Sequence, residues 1–312
     1  MKVLLTGAAG FIGSHAAQAL LERGDEVVGI DNLNPYYDIN LKKHNLEILK
    51  QYENFSFYKK DITKPLKLKE DFDIIVHLAA QAGVRYSIEK PRVYENTNGL
   101  GTMQIFEYAK NNNIKKVVFA SSSVYGNTDK IPFTEDQNVN HPVSFYAATK
   151  KYNELQAHVY HDLYDIEMIG LRFFTVYGPR GRPDMAPMIF ARLMSQNKPI
   201  KVFNEGDMLR DFTYIKDIVQ GILKATTTSL EYEIINLCRG EPVKLLDFIQ
   251  TLEKHLGVEA NKKMLPMQPG DVRVTYGDAT KAKKLLGYNP KVSVDEGVKK
   301  FVTWYKDYNN IA

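Results

Sequence analysis

Three glycines, each three residues after the last and all directly behind a short apolar run, constrain this chain more than any other feature. Val3-Leu4-Leu5-Thr6 reads as a strand and Gly7 ends it. Gly10 and Gly13 open a helical stretch from Ile12 to Arg23 that Gly24 stops. Strand, tight turn and helix in that order begin a β-α-β unit. Further runs read as strands from Glu26 to Asp31, Phe55 to Tyr58, Ile74 to Leu78, Lys116 to Ser121 and Met168 to Phe173. Between them lie helical patterns. The one from Val93 to Lys110 carries Met103, Phe106 and Ala109 three residues apart, and the one after Tyr146 carries Leu155, Val159 and Leu163 four apart. This alternation predicts an α/β fold, a doubly wound parallel sheet with helices on both faces.

Beyond Phe174 the texture changes. The stretch Tyr177-Gly178-Pro179-Arg180-Gly181-Arg182-Pro183-Asp184 is turn-rich, and the remainder mixes short strands with helices, the last from about Val294 to Asp307. At 312 residues the chain exceeds a minimal single core. The expected division is a larger domain over 1–174 and a smaller C-terminal α/β domain over 175–312, with a helix near 212–226 packing back on the first. A net charge of +4 without a long basic run gives no indication of nucleic-acid binding, and a small anionic substrate is enough to explain it. One cysteine, Cys238, excludes an intramolecular disulfide and suits a reducing compartment. No Cys/His cluster has zinc spacing, so no metal is expected. Val3 to Leu5 is too short for a signal peptide or membrane span, so a soluble, cytoplasmic protein is expected.

The glycine turn carries chemistry. Without side chains at Gly7, Gly10 and Gly13 the backbone can approach a pyrophosphate, whose charge then faces the amides and positive dipole end of the first helix near Phe11 and Ile12. Eighteen residues after Gly13, Asp31 ends the second strand, where its carboxylate can accept hydrogen bonds from an adenosine ribose. A 2'-phosphate would be repelled there and no Arg follows closely, which favours NAD over NADP. The same glycines alone would also serve plain turn geometry. Asp61-Ile62 and Leu78-Ala79-Ala80 follow the third and fourth strands and can line adenine and pyrophosphate, or equally serve strand-end packing. His77 reads as a satisfied core residue rather than a ligand.

Tyr146 and Lys150, four apart on a helix, share a face. A free tyrosine titrates near ~10 and is a poor base at neutral pH, but an ammonium and a positive nicotinamide ring both favour its phenolate. Lys150 can therefore lower the Tyr146 pKa and hold the nicotinamide ribose. The spacing is common by chance. What raises it is Ala120-Ser121-Ser122-Ser123-Val124-Tyr125-Gly126, a hydroxyl cluster at a strand end 25 residues upstream of the tyrosine, counted from Ser121.

On these strings, together with Arg210-Asp211-Phe212-Thr213-Tyr214-Ile215, the chain resembles the extended short-chain dehydrogenase/reductase superfamily, a Rossmann fold, and within it the nucleotide-sugar epimerases. Three segments resemble UDP-glucuronate 4-epimerases: Asp31-Asn32-Leu33-Asn34-Pro35-Tyr36-Tyr37-Asp38, Ala80-Gln81-Ala82-Gly83-Val84-Arg85-Tyr86-Ser87, and Gly170 to Pro179 leading to Arg182-Pro183-Asp184-Met185-Ala186. The resemblance implies that Tyr146 as phenolate takes the proton of the sugar 4-hydroxyl while the C4 hydride passes to NAD. Ser121 then hydrogen-bonds the same oxygen, and the 4-ketone turns over and is reduced on its other face. It also places Asn32 and Phe173 with the cofactor residues.

The resemblance further implies a substrate. Where UDP-galactose epimerases typically carry Asn, this chain has Thr175, like the glucuronate enzymes, in which Ser122, Ser123, Thr175 and Arg182 take the C6 carboxylate. An Arg fork and several hydroxyls suit a planar anion. Taken without the resemblance, Arg182 reads as a solvated loop residue, and Arg85 divides between anion contact and a surface role. The family sets Arg210 on the phosphates, Phe203 near uracil and Asp271 on the uridine ribose, with Arg273 adding a phosphate contact; a surface ion pair and turn chemistry are the plainer alternatives. Decarboxylases usually carry Glu at Ser123, and 4,6-dehydratases place Asp-Glu after the first hydroxyl residue, so loss of CO2 or water is disfavoured. Neutral or N-acetylated UDP-hexoses remain an alternative substrate class, and a non-catalytic NAD-binding regulator is a different class that the intact Ser121, Tyr146 and Lys150 argue against. The family usually dimerises through the helices near Val93 to Lys110 and after Tyr146, which implies a homodimer.

Overall fold

The computed structural model describes residues 1–122, 124–268 and 271–311. Its first part runs β1 (Lys2–Thr6), α1 (Phe11–Glu22), β2 (Glu26–Asp31), α2 (Ile39–Leu49), β3 (Phe55–Lys59), β4 (Ile74–His77), the short helices α3 (Val84–Glu89) and α4 (Pro91–Tyr94), α5 (Gly101–Asn111), β5 (Lys116–Ser122), α6 (Phe145–Tyr164) and β6 (Glu167–Phe173). There follow β7 (Thr175–Tyr177), α7 (Ala186–Ser195), β8 (Ile200–Phe203), β9 (Leu209–Arg210), β10 (Phe212–Tyr214), α8 (Ile215–Thr227), β11 (Tyr232–Leu237), β12 (Val243–Lys244), α9 (Leu245–Leu256), β13 (Lys262–Leu265), β14 (Val274–Thr275), α10 (Thr280–Leu286) and α11 (Val294–Tyr308).

Seven parallel strands form one sheet in the order β11-β6-β5-β4-β1-β2-β3. Successive side chains point to opposite faces, and the strands divide accordingly into two cores. Val3, Leu5, Val27, Ile74, Val76 and Val118 pack with residues of α1, α2 and α8. Leu4, Val28, Ile30, Ile75, Val117 and Phe119 pack with α5 and α6. The chain winds outward from β1 through β2 to β3, then returns to β4 on the other side of β1. The crevice outside the carboxyl ends of β1 and β4 is therefore the switch point at which such sheets bind ligands.

Four local expectations need correction. The helix read from Val93 to Lys110 is interrupted by a π-helical turn over Glu95–Leu100. There the Asn98 carbonyl accepts from Asn153 (2.7 Å), while the Asn98 side chain bonds Gln81 through both of its polar atoms. The stretch read as helix from 212 begins as β10, paired with β7, and turns helical only at Ile215. The seventh strand, β11, was not among the runs read from the sequence. Finally, Leu155, Val159 and Leu163 on α6 do not face the sheet and are 54%, 49% and 62% exposed. The sheet-facing side of that helix is largely polar, with Lys150, Asn153, Glu154 and Gln156 buried on it.

The smaller sheets β10-β7, β12-β9-β14 and β13-β8 pack with α7, α9 and α11 around stacked rings such as Phe212 and Phe248, 3.9 Å apart. We propose dividing the chain near 174 and counting α8 and β11 with the first unit, since α8 packs on α1 and β11 completes the sheet.

A row of polar groups crosses the sheet beneath its carboxyl edge. Register aligns Ser121 with Arg172 and Arg172 with Asn236. Arg172 donates from Nε and Nη2 to the two carboxylate oxygens of Glu154 (2.7 and 2.8 Å) and from Nη1 to the Tyr125 hydroxyl (2.9 Å). The Tyr125 hydroxyl donates to Asn236, and the Ser121 hydroxyl donates to Glu154 at 2.8 Å. Burial pushes the Glu154 carboxyl upward, but Arg172, Ser121 and Lys151 outweigh it and hold it below the usual range. Glu154→Ala leaves the Arg172 charge buried without a partner, so urea unfolding is expected to show a loss of about 3–5 kcal/mol. An unchanged midpoint would remove the pair from the structural core.

Candidate functional site

The turn between β1 and α1 is built by backbone contact. Gly7 sits at φ +74°, where a Cβ would lie 2.8 Å from the Ala79 nitrogen, and a Cβ on Gly13 would lie 2.0 Å from the Gly7 oxygen. Neither position can carry a side chain. Gly10 precedes α1 without a side-chain cap, so the first amides of the helix, at Phe11 and Ile12, open toward the crevice. Thr6 closes the base: its hydroxyl accepts from the Ala79 amide (3.0 Å) and meets His77 Nδ1 at 2.7 Å. The other His77 nitrogen meets Thr102 at 3.1 Å, so His77 is a satisfied core residue, and burial lowers its pKa to about 3.

One cleft runs from this turn to the end of β5. Gly7, Gly10, Phe11, Ile12 and Gly13 line it at one side, with Asp31, Asn32 and Ile62 beyond them. Leu78, Ala79 and Ala80 form its floor after β4, and Phe173 closes the end near Ser121, Ser122, Tyr146 and Lys150. Asp61 stands behind this lining, where its carboxylate accepts from the Asn32 side chain at 3.2 Å. The sequence reading missed Lys42 and Lys60, which also line the cleft. Lys42 approaches Asp31 at 3.4 Å from α2, and its position gives no motif to read.

At the catalytic end Ser121 and Ser122 both line the cleft with Tyr146, and the Ser121 hydroxyl donates to Glu154 at 2.8 Å. Lys150 donates to the Ala120 carbonyl at 2.8 Å. Burial raises the phenol of Tyr146, opposed by Ser122 and then by the charge of Arg182, not of Lys150. Burial also lowers Lys150 to about 8, with Glu154 acting against it. Glu154 lies two helical turns beyond Tyr146, a spacing of eight residues that the four-residue reading of Tyr146 and Lys150 extends naturally. Ser123 lies outside the described residues.

The remaining expected residues fall into two groups. Arg182 enters the cleft at the phenol, held by Asp184. Arg85, Phe203 and Asp271 meet in a second patch, in which Arg85 bonds Asp271 at 3.0 Å and lies 5.0 Å over the Phe203 ring. Arg210 joins them by donating to the Val272 carbonyl at 2.7 Å, and burial lowers its pKa, opposed by Asp271. Arg273 instead pairs with Asp207. Thr175 lies on β7 between the cleft residues Phe174 and Val176, its amide bonded to the Asp211 carbonyl at 3.1 Å. Among the described residues no group of three His, Cys, Asp or Glu side chains is arranged to hold a metal ion.

Comparison with known proteins identifies the family. The family described as GDP-mannose 4,6 dehydratase matches residues 4–301. A UDP-glucuronate 4-epimerase of Thermodesulfobacterium geofontis is 46% identical, over 97% of this chain and 96% of that protein. The crystal structure of UDP-glucuronic acid 4-epimerase from Bacillus cereus, in complex with UDP-glucuronic acid and NAD, superposes with a TM-score of 0.92 at 38% identity, covering 99% of this chain and 100% of that one. UDP-glucose 4-epimerase of Thermotoga maritima superposes at 0.89 with 30% identity, covering 99% and 100%. The chain therefore belongs to the GDP-mannose 4,6 dehydratase family of extended short-chain dehydrogenase/reductases, alongside the UDP-glucuronate 4-epimerases.

Proposed function

We propose that this protein is an NAD-dependent 4-epimerase that interconverts UDP-glucuronate and UDP-galacturonate. One observation carries the reading: a bare glycine turn and a Tyr146, Ser122 and Lys150 group open into the same cleft, with a cation, Arg182, at the phenol. The turn fits a dinucleotide: without a Cβ at Gly7 and Gly13 the start of α1 packs onto the turn, and its uncapped amides at Phe11 and Ile12 face the cleft, where a pyrophosphate can be bound. Gly7, Gly10, Phe11, Ile12 and Gly13 would hold the phosphates, and Asp31 and Asn32, steadied by Asp61, the adenosine ribose. Ile62, Leu78, Ala79 and Ala80 would pack along the coenzyme, with Lys150 and Phe173 at its nicotinamide end. When bound, NAD supplies a reversible two-electron acceptor at the sugar C4.

The residues of the chain move the proton. Tyr146 as phenolate takes it from the 4-hydroxyl and returns it after the 4-ketone has turned over. We assign Ser122, which lines the cleft with the phenol, to the same oxygen, with Ser121 bonded to Glu154 as its support. Lys150, anchored at Ala120 and lining the same cleft, would hold the nicotinamide ribose. Arg182 and Ser122 would take the C6 carboxylate, with Thr175 at the edge of that site. Arg85, Phe203, Arg210 and Asp271 would hold the UDP.

Tyr146→Phe is expected to lose at least ~10²-fold in turnover while the purified protein keeps its NAD, and Ser122→Ala is expected to lose more turnover than Ser121→Ala. Rates are measured on a panel of UDP-sugars. Wild-type preference for UDP-glucose or UDP-N-acetylglucosamine would transfer the assignment to the neutral class, and full activity of Tyr146→Phe would end the mechanism.

The protein is also proposed to work as a cytoplasmic homodimer. Among the described residues no helix is long and apolar enough to cross a membrane. Phe145, Tyr152, Leu155, Val159 and Leu163 leave an exposed apolar face along α6, with Leu100 exposed nearby in sequence to the α5 start. Leu155→Glu with Leu163→Glu is expected to give a monomer in sedimentation. A wild-type monomer at micromolar concentration would contradict the dimer.

A further inference from the structure

The three strings on which the chain resembles UDP-glucuronate 4-epimerases meet at one carboxylate. Asp184 accepts from Arg182 Nε (3.0 Å) and Nη2 (2.8 Å), and its Oδ2 also accepts from the Tyr36 hydroxyl at 3.0 Å. Gly83 completes the contact. It holds φ +102°, and a Cβ there would lie 2.7 Å from the Tyr36 hydroxyl and 3.7 Å from Asp184 Oδ2. Tyr36 comes from the loop after β2, Gly83 from the loop before α3, and Asp184 from the turn before α7.

This contact is placed where it bears on substrate. Tyr36, Ala82 and Arg182 line the same cleft as Tyr146. A guanidinium carries five N–H groups in a fixed fork, and Asp184 takes two of them along one edge. Three are left for an incoming anion. The cleft thus already holds one carboxylate on the cation that would receive a second, and two like charges on one guanidinium repel.

Resting on the epimerase reading above, we propose that Asp184 is a specificity-tuning residue, a built-in counter-carboxylate that shares Arg182 with the C6 carboxylate of the sugar and limits how tightly a uronate is held. It has two consequences. Arg182 never stands bare in the empty cleft, and both uronates of a reversible reaction are released more readily because each leaves against a waiting replacement. Tyr36 holds Asp184 in that place from the other side.

Asp184→Asn keeps the shape and removes the charge. Isothermal titration of the NAD-containing protein, made catalytically silent by Tyr146→Phe, is the test. With Asp184→Asn, UDP-glucuronate is expected to bind about tenfold tighter, while UDP-glucose and UDP change by less than about twofold. In the otherwise wild-type protein the KM for UDP-glucuronate falls with it. Damage to the fold cannot produce a gain confined to the acidic sugar. Weaker or unchanged uronate binding would overturn the proposal. Should Asp184→Asn fail to fold, Tyr36→Phe removes only the phenol that restrains Asp184 and is expected to shift the same ratio in the same direction by a smaller factor; no shift there overturns it equally. If the parent protein shows no preference for UDP-glucuronate over UDP-glucose, the substrate reading itself has failed, which the parent titration reports before any Asp184 variant is made.

Discussion

The structure depends on how closely two backbones meet at the carboxyl end of β1. A side chain on Gly13 would stand 2.0 Å from the Gly7 oxygen, so helix α1 can lie against the strand end only where both residues are glycine. That approach points the uncapped helix start into the crevice and sets the distance between it and the floor at Ala79. Everything that lines the cleft is measured from this contact. It is also why the pattern is informative: spacing alone is common, but spacing between a strand and a helix has a steric cause.

At the other end of the cleft the organising force is electrostatic. The Glu154 and Arg172 pair is buried beneath β5 and β6, and its cost of desolvation is offset by bonds that satisfy both groups. Through Ser121 it fixes the strand end that carries Ser122 into the cleft. The helix that carries the acid/base residues therefore has its polar side inward, against the usual arrangement, and shows an apolar face outward. One requirement, catalytic side chains facing a sheet edge, accounts for both features and connects the chemistry to the surface proposed for assembly.

The cleft also holds its charges in opposed pairs. Lys42 stands against Asp31, and Asp184 against Arg182. Each pair lets an ion needed for recognition or proton transfer persist in a partly buried place. Each also sets how strongly that ion can act on a bound molecule, because the internal partner must be shared.

The sequence by itself determined what depends on near neighbours. The first six strands of the sheet, the glycine turn, Asp31 at its strand end and the shared face of Tyr146 and Lys150 follow from periodicity and steric rules that act over a few residues. The resemblance added the substrate-side residues, although it could not orient them. Only the tertiary structure decided the rest. Ser121 and Ser122 are adjacent and chemically identical, and which hydroxyl turns to Glu154 depends on how β5 lies against α6. The apolar stripe of α6 has the right spacing for a core, yet faces outward because the sheet demands the polar side. The seventh strand joins from beyond residue 230, and Asp184, Tyr36 and Gly83 meet from segments up to about 150 residues apart. Such contacts are fixed by the packing of the whole chain, and no local pattern records them.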